Sequence, residues 1–89
     1  MKKTTTLLPK ALDILVHRQE EKERQYGPID RCLERTARIA TELCQKDLSS
    51  KDVAKILVAL KLSRESNAHK SDNLLDAICY LDTLNTLYE

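Results

Sequence analysis

From Val53 to Leu62 the chain sets apolar residues on nearly every side of a single helical stretch. Val53, Ala54, Ile56, Leu57, Val58, Ala59, Leu60 and Leu62 are broken only by Lys55 and Lys61. A helix that is apolar nearly all round has to be covered nearly all round. A chain of 89 residues has too little else to do this by itself, because small domains leave a large share of their surface exposed. The expectation is therefore a helical homo-oligomer, in which a second subunit completes the cover.

Composition supports helices over strands. Apolar residues make up 42% of the chain, yet it has no Phe, no Trp and three Tyr. Leu, Ile, Val and Ala thus supply the core. One Gly and two Pro leave few of the turn residues that a β fold requires. The reading is one all-α domain over residues 1–89, a four-helix unit, with 1–8 as a flexible N-terminal tail.

The first helix is expected to open near Pro9, with Leu12, Leu15 and Val16 on its apolar face. A polar extension follows from Arg18 to Gln25, supported by pairs such as Glu20 with Arg24. Tyr26-Gly27-Pro28 ends it, Gly27 being free to take a positive φ. A second helix is predicted from Pro28 to Gln45, with a stripe of Ile29, Cys32, Leu33, Thr36, Ala40 and Leu43. Ser49 and Asp52 have the spacing of a weak cap for a third helix over Ser50–Glu65. Ser66 to Lys70 reads as a polar turn. The last helix starts near Ser71, with Asp72 set against its positive end. Its inward face is either Leu74, Ile78, Leu81 and Leu84 or Leu75, Cys79 and Tyr80.

Cys32, Cys44 and Cys79 are odd in number and lack CxxC spacing, so they read as buried apolar fillers in a reducing compartment. No stretch approaches the ~20 apolar residues of a membrane span, and no signal-peptide core follows Met1–Thr6. A cytoplasmic location is expected, in the host cell if the chain is phage-encoded. Fifteen basic and fourteen acidic residues give +1 overall, which argues against coating DNA or RNA. A small anionic ligand needs only a few placed cations.

Such cations stand at the end of the third helix. Lys61 and Arg64 are three apart and share a face, and His69 and Lys70 lie in the next turn. Asp72, Asp76 and Tyr80 follow at intervals of four on the last helix, with Asn73 beside Asp76. One reading is structural: Asp72 caps its helix, Asp76 pairs with Lys61 or Arg64, and the Tyr80 hydroxyl satisfies the pair. The other is a pocket for a phosphorylated ligand. Lys61 and Arg64 supply its charge, and Asn73 or Asp76 reads a base or ribose hydroxyl. Tyr26 is placed to stack on a base, with Arg24 near it in sequence. His69 has no partner at metal-ligand spacing, so zinc is not expected. A single Gly excludes a phosphate loop, and no hydrolase triad is recognisable.

Glu23-Arg-Gln-Tyr-Gly27, Leu60-Lys-Leu-Ser-Arg64 and His69-Lys-Ser-Asp-Asn-Leu-Leu-Asp76-Ala-Ile-Cys-Tyr80 resemble a family of small uncharacterised bacteriophage proteins. That family in turn resembles the MazG-type all-α nucleoside triphosphate pyrophosphatases, four-helix units that pair into dimers or tetramers. The resemblance covers most of the chain from Glu23. It implies a Mg²⁺ site built from two helical carboxylate pairs, which here would use Glu42, Asp72 and Asp76. In each pair one carboxylate is replaced: Asn73 stands where a Glu is expected, and Ile39 stands three residues before Glu42.

The leading expectation is therefore binding without cleavage and without a cofactor. The ligand would be nucleotide-derived, and for a phage protein a host cyclic-nucleotide or cyclic ADP-ribose type immune signal suits the resemblance. Its site residues would be Lys61, Arg64, His69, Lys70, Asn73, Asp76 and Tyr80, with Arg24 and Tyr26. The alternatives are a Mg²⁺-dependent pyrophosphohydrolase and an adaptor that engages a host protein through the charged surface around Glu20 to Arg24.

Overall fold

In the computed structural model, the described residues are 6–18, 21, 24, 25 and 27–89. They form four α-helices and no strand: α1 (Leu7–Asp13), α2 (Ile29–Cys44), α3 (Ser50–Asn67) and α4 (Ser71–Leu87). α1 opens two residues ahead of Pro9, so Leu7 and Leu8 are helical. It runs into a wider π turn, Ile14–Arg18, that the sequence pattern did not suggest. Glu20, Glu23 and Tyr26 lie outside the described residues, as does most of the expected N-terminal tail.

Local chemistry sets the helix ends. Gly27 has φ +83°, the positive value expected of it, and Pro28 then leads into α2. At the other end of α2, Gln45 takes a left-handed conformation with φ 57°, and its Nε2 donates to the Glu42 carbonyl at 2.8 Å. Thr41 closes the α2–α3 connection, its hydroxyl accepting from the Leu48 N–H at 2.9 Å. The Ser49–Asp52 arrangement is a full capping box. The Asp52 N–H donates to Ser49 Oγ at 3.1 Å, and the Ser49 N–H donates to the Asp52 carboxylate at 2.9 Å. Two orphan N–H groups of α3 are thereby satisfied.

α3 and α4 form an antiparallel hairpin with a legible register. Glu65 meets Asn73 and Lys61 meets Asp76 near the turn. Further along, Ala54 lies in the cluster that Leu84 joins, and Lys51 sits over the Tyr88 ring at 4.4 Å. α2 packs across one side of this hairpin, where Leu33 and Ala37 join Val53 and Ala54, with Ile29, Leu57, Leu84 and Leu87 around them. α1 packs on α4, burying Ala11 and Leu75.

The α2 pattern shows what the chain leaves undone. At about 100° per residue, Ile29, Leu33 and Ala37 point inward, while Arg31, Glu34, Arg38 and Glu42 occupy the opposite arc. Ile39 and Leu43 fall between the two, and they are 61% and 79% exposed. The single stripe expected for α2 is thus covered along one edge only. The same holds for α3, where Ile56, Leu60 and Leu62 remain 41–53% exposed. On α4, Leu75 is buried and Leu84 packs on the core, while Leu81 is 49% exposed. Both alternatives for the inward face of α4 therefore contribute.

The cysteines depart from their expected burial. Cys32 and Cys79 are half-buried and Cys44 is exposed, and none of the three is in a disulfide among the described residues. Cys44 is the last residue of α2 and stands at the start of the turn into α3. No described helix is long and apolar enough to cross a membrane.

Candidate functional site

The turn from α3 to α4 is held by a residue that the sequence patterns did not single out. The N-cap of α4 is Lys70, whose side chain has no acceptor to offer the free N–H groups of a helix start. Glu65, in the last turn of α3, supplies the acceptor instead. Its carboxylate takes the Lys70 N–H at 3.0 Å, the Asn73 amide at 3.3 Å and a hydrogen bond from His69 Nδ1. The His69 bond, then the Lys70 N–H, holds the Glu65 carboxyl below its ordinary 4.5, while partial burial opposes them and Asn73 adds to them. Asp72 makes no side-chain cap, contrary to its expected role. It lies in the first turn, where its charge favours the positive helix end.

Lys61 and Asp76 form the second polar contact of the seam, Nζ to Oδ2 at 3.0 Å. The Lys61 side chain is 17% exposed and that of Asp76 is 40% exposed. The ammonium is therefore largely covered, while the carboxylate still meets water. Pairing of Asp76 was expected, and the seam selects Lys61 over Arg64. Tyr80 is half-buried one turn beyond Asp76, and among the described residues no hydrogen bond joins its hydroxyl to the pair.

These contacts sort the expected site residues. Asn73 is 9% exposed with its amide committed to Glu65, so it secures the turn rather than facing a ligand. His69 is committed to the same carboxylate from the solvent side. Arg64 is exposed and has no side-chain partner among the described residues. It follows Leu57 and Leu60 along α3 at spacings of three and four, on the edge that α2 covers lower down. Asp76 lies three turns before Leu87, on the corresponding edge of α4. Lys61, Arg64 and Asp76 thus come together on the α2 side of the hairpin, with the Lys70 side chain exposed at its end. Arg24 is exposed, and Tyr26 lies outside the described residues.

The metal alternative fits poorly. Asp72 lines an open groove of about 390 Å³ against α1, with Pro9, Lys10, Asp13, Ile14 and Leu75. Asp76 is held by Lys61, and Glu42 sits on the charged outer arc of α2, exposed. Among the described residues no three His, Cys, Asp or Glu side chains group where a metal ion could be held. Glu42, Asp72 and Asp76 therefore do not assemble a Mg²⁺ site within the chain. What the corner offers is direct charge and hydrogen bonding: a planar guanidinium with five donors and an ammonium, beside carboxylates already engaged.

A family described as a domain of unknown function (DUF6378) matches residues 6–88. Comparison with curated proteins and with solved structures returns no significant match to either. The chain belongs to the DUF6378 family.

Proposed function

We propose that this protein is a helical homo-oligomer that binds a small phosphorylated, nucleotide-derived ligand at the α3–α4 corner without cleaving it. One observation carries the reading. The carboxylates of Glu65 and Asp76 are committed to protein partners, whereas the Arg64 guanidinium is exposed and unengaged among the described residues. A phosphate takes up two parallel N–H bonds from such a group. Lys70 adds charge at the same end, and Lys61 contributes by sharing its ammonium between Asp76 and the ligand. Tyr80, beside this pair, offers a ring face to a base.

The resemblance to small bacteriophage proteins makes a host immune signal of the cyclic-dinucleotide or cyclic ADP-ribose type the first ligand to test. Sequestration needs tight binding and an intact product. The decisive experiment denatures purified protein and identifies the released small molecules by mass spectrometry, alongside calorimetric titration with a nucleotide panel. An unchanged phosphorylated ligand, with affinity lost in Arg64→Ala, is expected. Recovery of cleaved products, or pyrophosphate release that stops with a chelator, would overturn the reading in favour of a pyrophosphohydrolase. Absence of any bound nucleotide overturns it too. A host protein captured through Glu20, Glu21 and Glu23 would then point to an adaptor.

A further inference from the structure

Along the seam of the α3–α4 hairpin the polar groups follow one another in a fixed order. At the turn end stand the exposed Arg64 and Lys70 side chains. Next come Lys61 and Asp76, joined Nζ to Oδ2 at 3.0 Å. Half-buried Tyr80 follows on α4. At 1.5 Å of rise per residue, Lys61 lies about 4.5 Å from Arg64 along α3, and Tyr80 lies about 6 Å beyond Asp76 along α4. Because the two helices are antiparallel, both steps lead away from the turn. Cations, a carboxylate and an aromatic ring are thus met in the order in which a nucleotide presents its phosphate, its ribose and its base.

Within this row Asp76 is the group with acceptor capacity left. The Glu65 carboxylate is taken on both oxygens, Oε1 by the Lys70 N–H and the Asn73 amide and Oε2 by His69. Asp72 turns instead to the groove against α1. Asp76 gives one oxygen to Lys61, its side chain is 40% exposed, and among the described residues nothing else bonds to it. A carboxylate has only acceptor sites. It repels a phosphate, which Arg64 and Lys70 take, and it pairs only with a hydrogen-bond donor. Between the phosphate and the base of a ribonucleotide that donor is a ribose hydroxyl, and a carboxylate reads the 2′-hydroxyl in dinucleotide-binding folds. In a 3′,5′-linked cyclic dinucleotide the 2′-hydroxyl is the one donor left on each ribose.

Resting on the proposed binding of a nucleotide at this corner, we infer that Asp76 makes the site selective for ribonucleotides, accepting the ligand's 2′-hydroxyl through the oxygen that Lys61 leaves free. Lys61 serves this contact in two ways. Its ammonium fixes the Asp76 carboxylate, so the acceptor is held in place before the ligand arrives. The same bond offsets the negative charge of the carboxylate and eases its closeness to the phosphate. Because Asp76 still meets water, the discrimination is modest. One hydrogen bond to a charged group at a partly hydrated site corresponds to about tenfold in Kd between ribo and deoxy ligands.

Calorimetric titration of the full chain tests this with ADP, GDP and 3′,5′-linked cyclic di-AMP and cyclic di-GMP, each beside its 2′-deoxy and 2′-fluoro counterparts. The ribo form of whichever nucleotide binds is expected to bind about tenfold tighter than its deoxy form. The 2′-fluoro form fills the place of the hydroxyl but donates nothing, so it is expected to bind as the deoxy form does. In Asp76→Asn the ribo and deoxy affinities are expected to converge, through a loss confined to the ribo ligand. Deoxy binding that persists in the variant is the readout that a merely structural role of Asp76 does not predict. Equal wild-type affinity for ribo and deoxy forms overturns the inference and leaves the ligand reading standing. So does a 2′-fluoro form that binds like the ribo form, a gap that survives in Asp76→Asn, or equal loss of both forms in the folded variant. Should Asp76→Asn fail to fold, the wild-type comparison of the three forms decides alone. Binding of none of these nucleotides overturns the ligand reading and the ribose selectivity together.

Discussion

The Lys61–Asp76 pair gives an asymmetry that can be worked out before it is measured. At 3.0 Å and an effective dielectric of about 20, the Coulomb attraction is about 5–6 kcal/mol. Desolvation of the two charges cancels most of it, which leaves a net coupling of about 1 kcal/mol. The two single substitutions, however, strand different partners. Asp76→Ala leaves an ammonium whose side chain is only 17% exposed, with little water to replace the lost carboxylate. Its cost should be about 2 kcal/mol. Lys61→Met keeps the aliphatic stem in the seam and leaves a carboxylate 40% exposed, which water solvates. Its cost should be at most about 1 kcal/mol. Urea denaturation of the wild type, both single variants and the double variant, at one protein concentration, measures all three quantities. A Lys61→Met cost equal to or above that of Asp76→Ala would refute the burial argument. A coupling below about 0.3 kcal/mol would refute the pair itself. If Lys61→Met is cheap for stability yet abolishes nucleotide binding, the ammonium serves the ligand more than the fold.

Leu33 is 2% exposed at the centre of the core, so Leu33→Ala should cost about 3 kcal/mol and lower Tm by about 15 °C in a thermal melt. Ser49→Ala removes the acceptor of the Asp52 N–H and should cost about 1 kcal/mol, read from the urea midpoint. Glu65 and Asp52 both have folded-state carboxyls below their ordinary values of 4.5 and 3.8. For Glu65 the His69 bond is the main cause, and for Asp52 it is the Ser49 N–H. A depressed carboxyl contributes stability that is complete above the unfolded value and is lost as pH falls through the folded one. Stability should therefore decline on acidification below about pH 4.5, and Glu65→Gln should flatten that decline in pH-dependent denaturation. An unchanged acid limb in the variant would show that the carboxylate is not held as described.

Much of the helical layout is legible because its signals are local. The Ser49–Asp52 spacing and Gly27 each act within a few residues, and each appears in the structure where the pattern places it. The π turn after Asp13 carries no such mark, since Ile14, Leu15 and Val16 suit an ordinary helix equally well. Cys44 shows the other limit. Its apolar character predicts burial, but whether anything covers the end of α2 depends on how the α2–α3 connection turns, and the spacing of apolar residues does not contain that.

The candidate corner is legible by composition and not by partner choice. Lys61, Arg64, Asn73 and Asp76 were identifiable as polar residues at one end of a hairpin, yet which of them bond to each other depends on the register of α3 against α4. Glu65 stands in a polar stretch and looks like solvated surface, but the needs of the next helix mark it out. A helix that opens on Lys70 needs an acceptor from elsewhere, and Glu65 lies four residues before His69 and eight before Asn73, at helical spacing from the group it must reach. Glu65 is spent on the turn and Asp76 on Lys61, so both carboxylates already have protein partners. The corner's unspent charge is cationic, in the exposed Arg64 and Lys70 side chains.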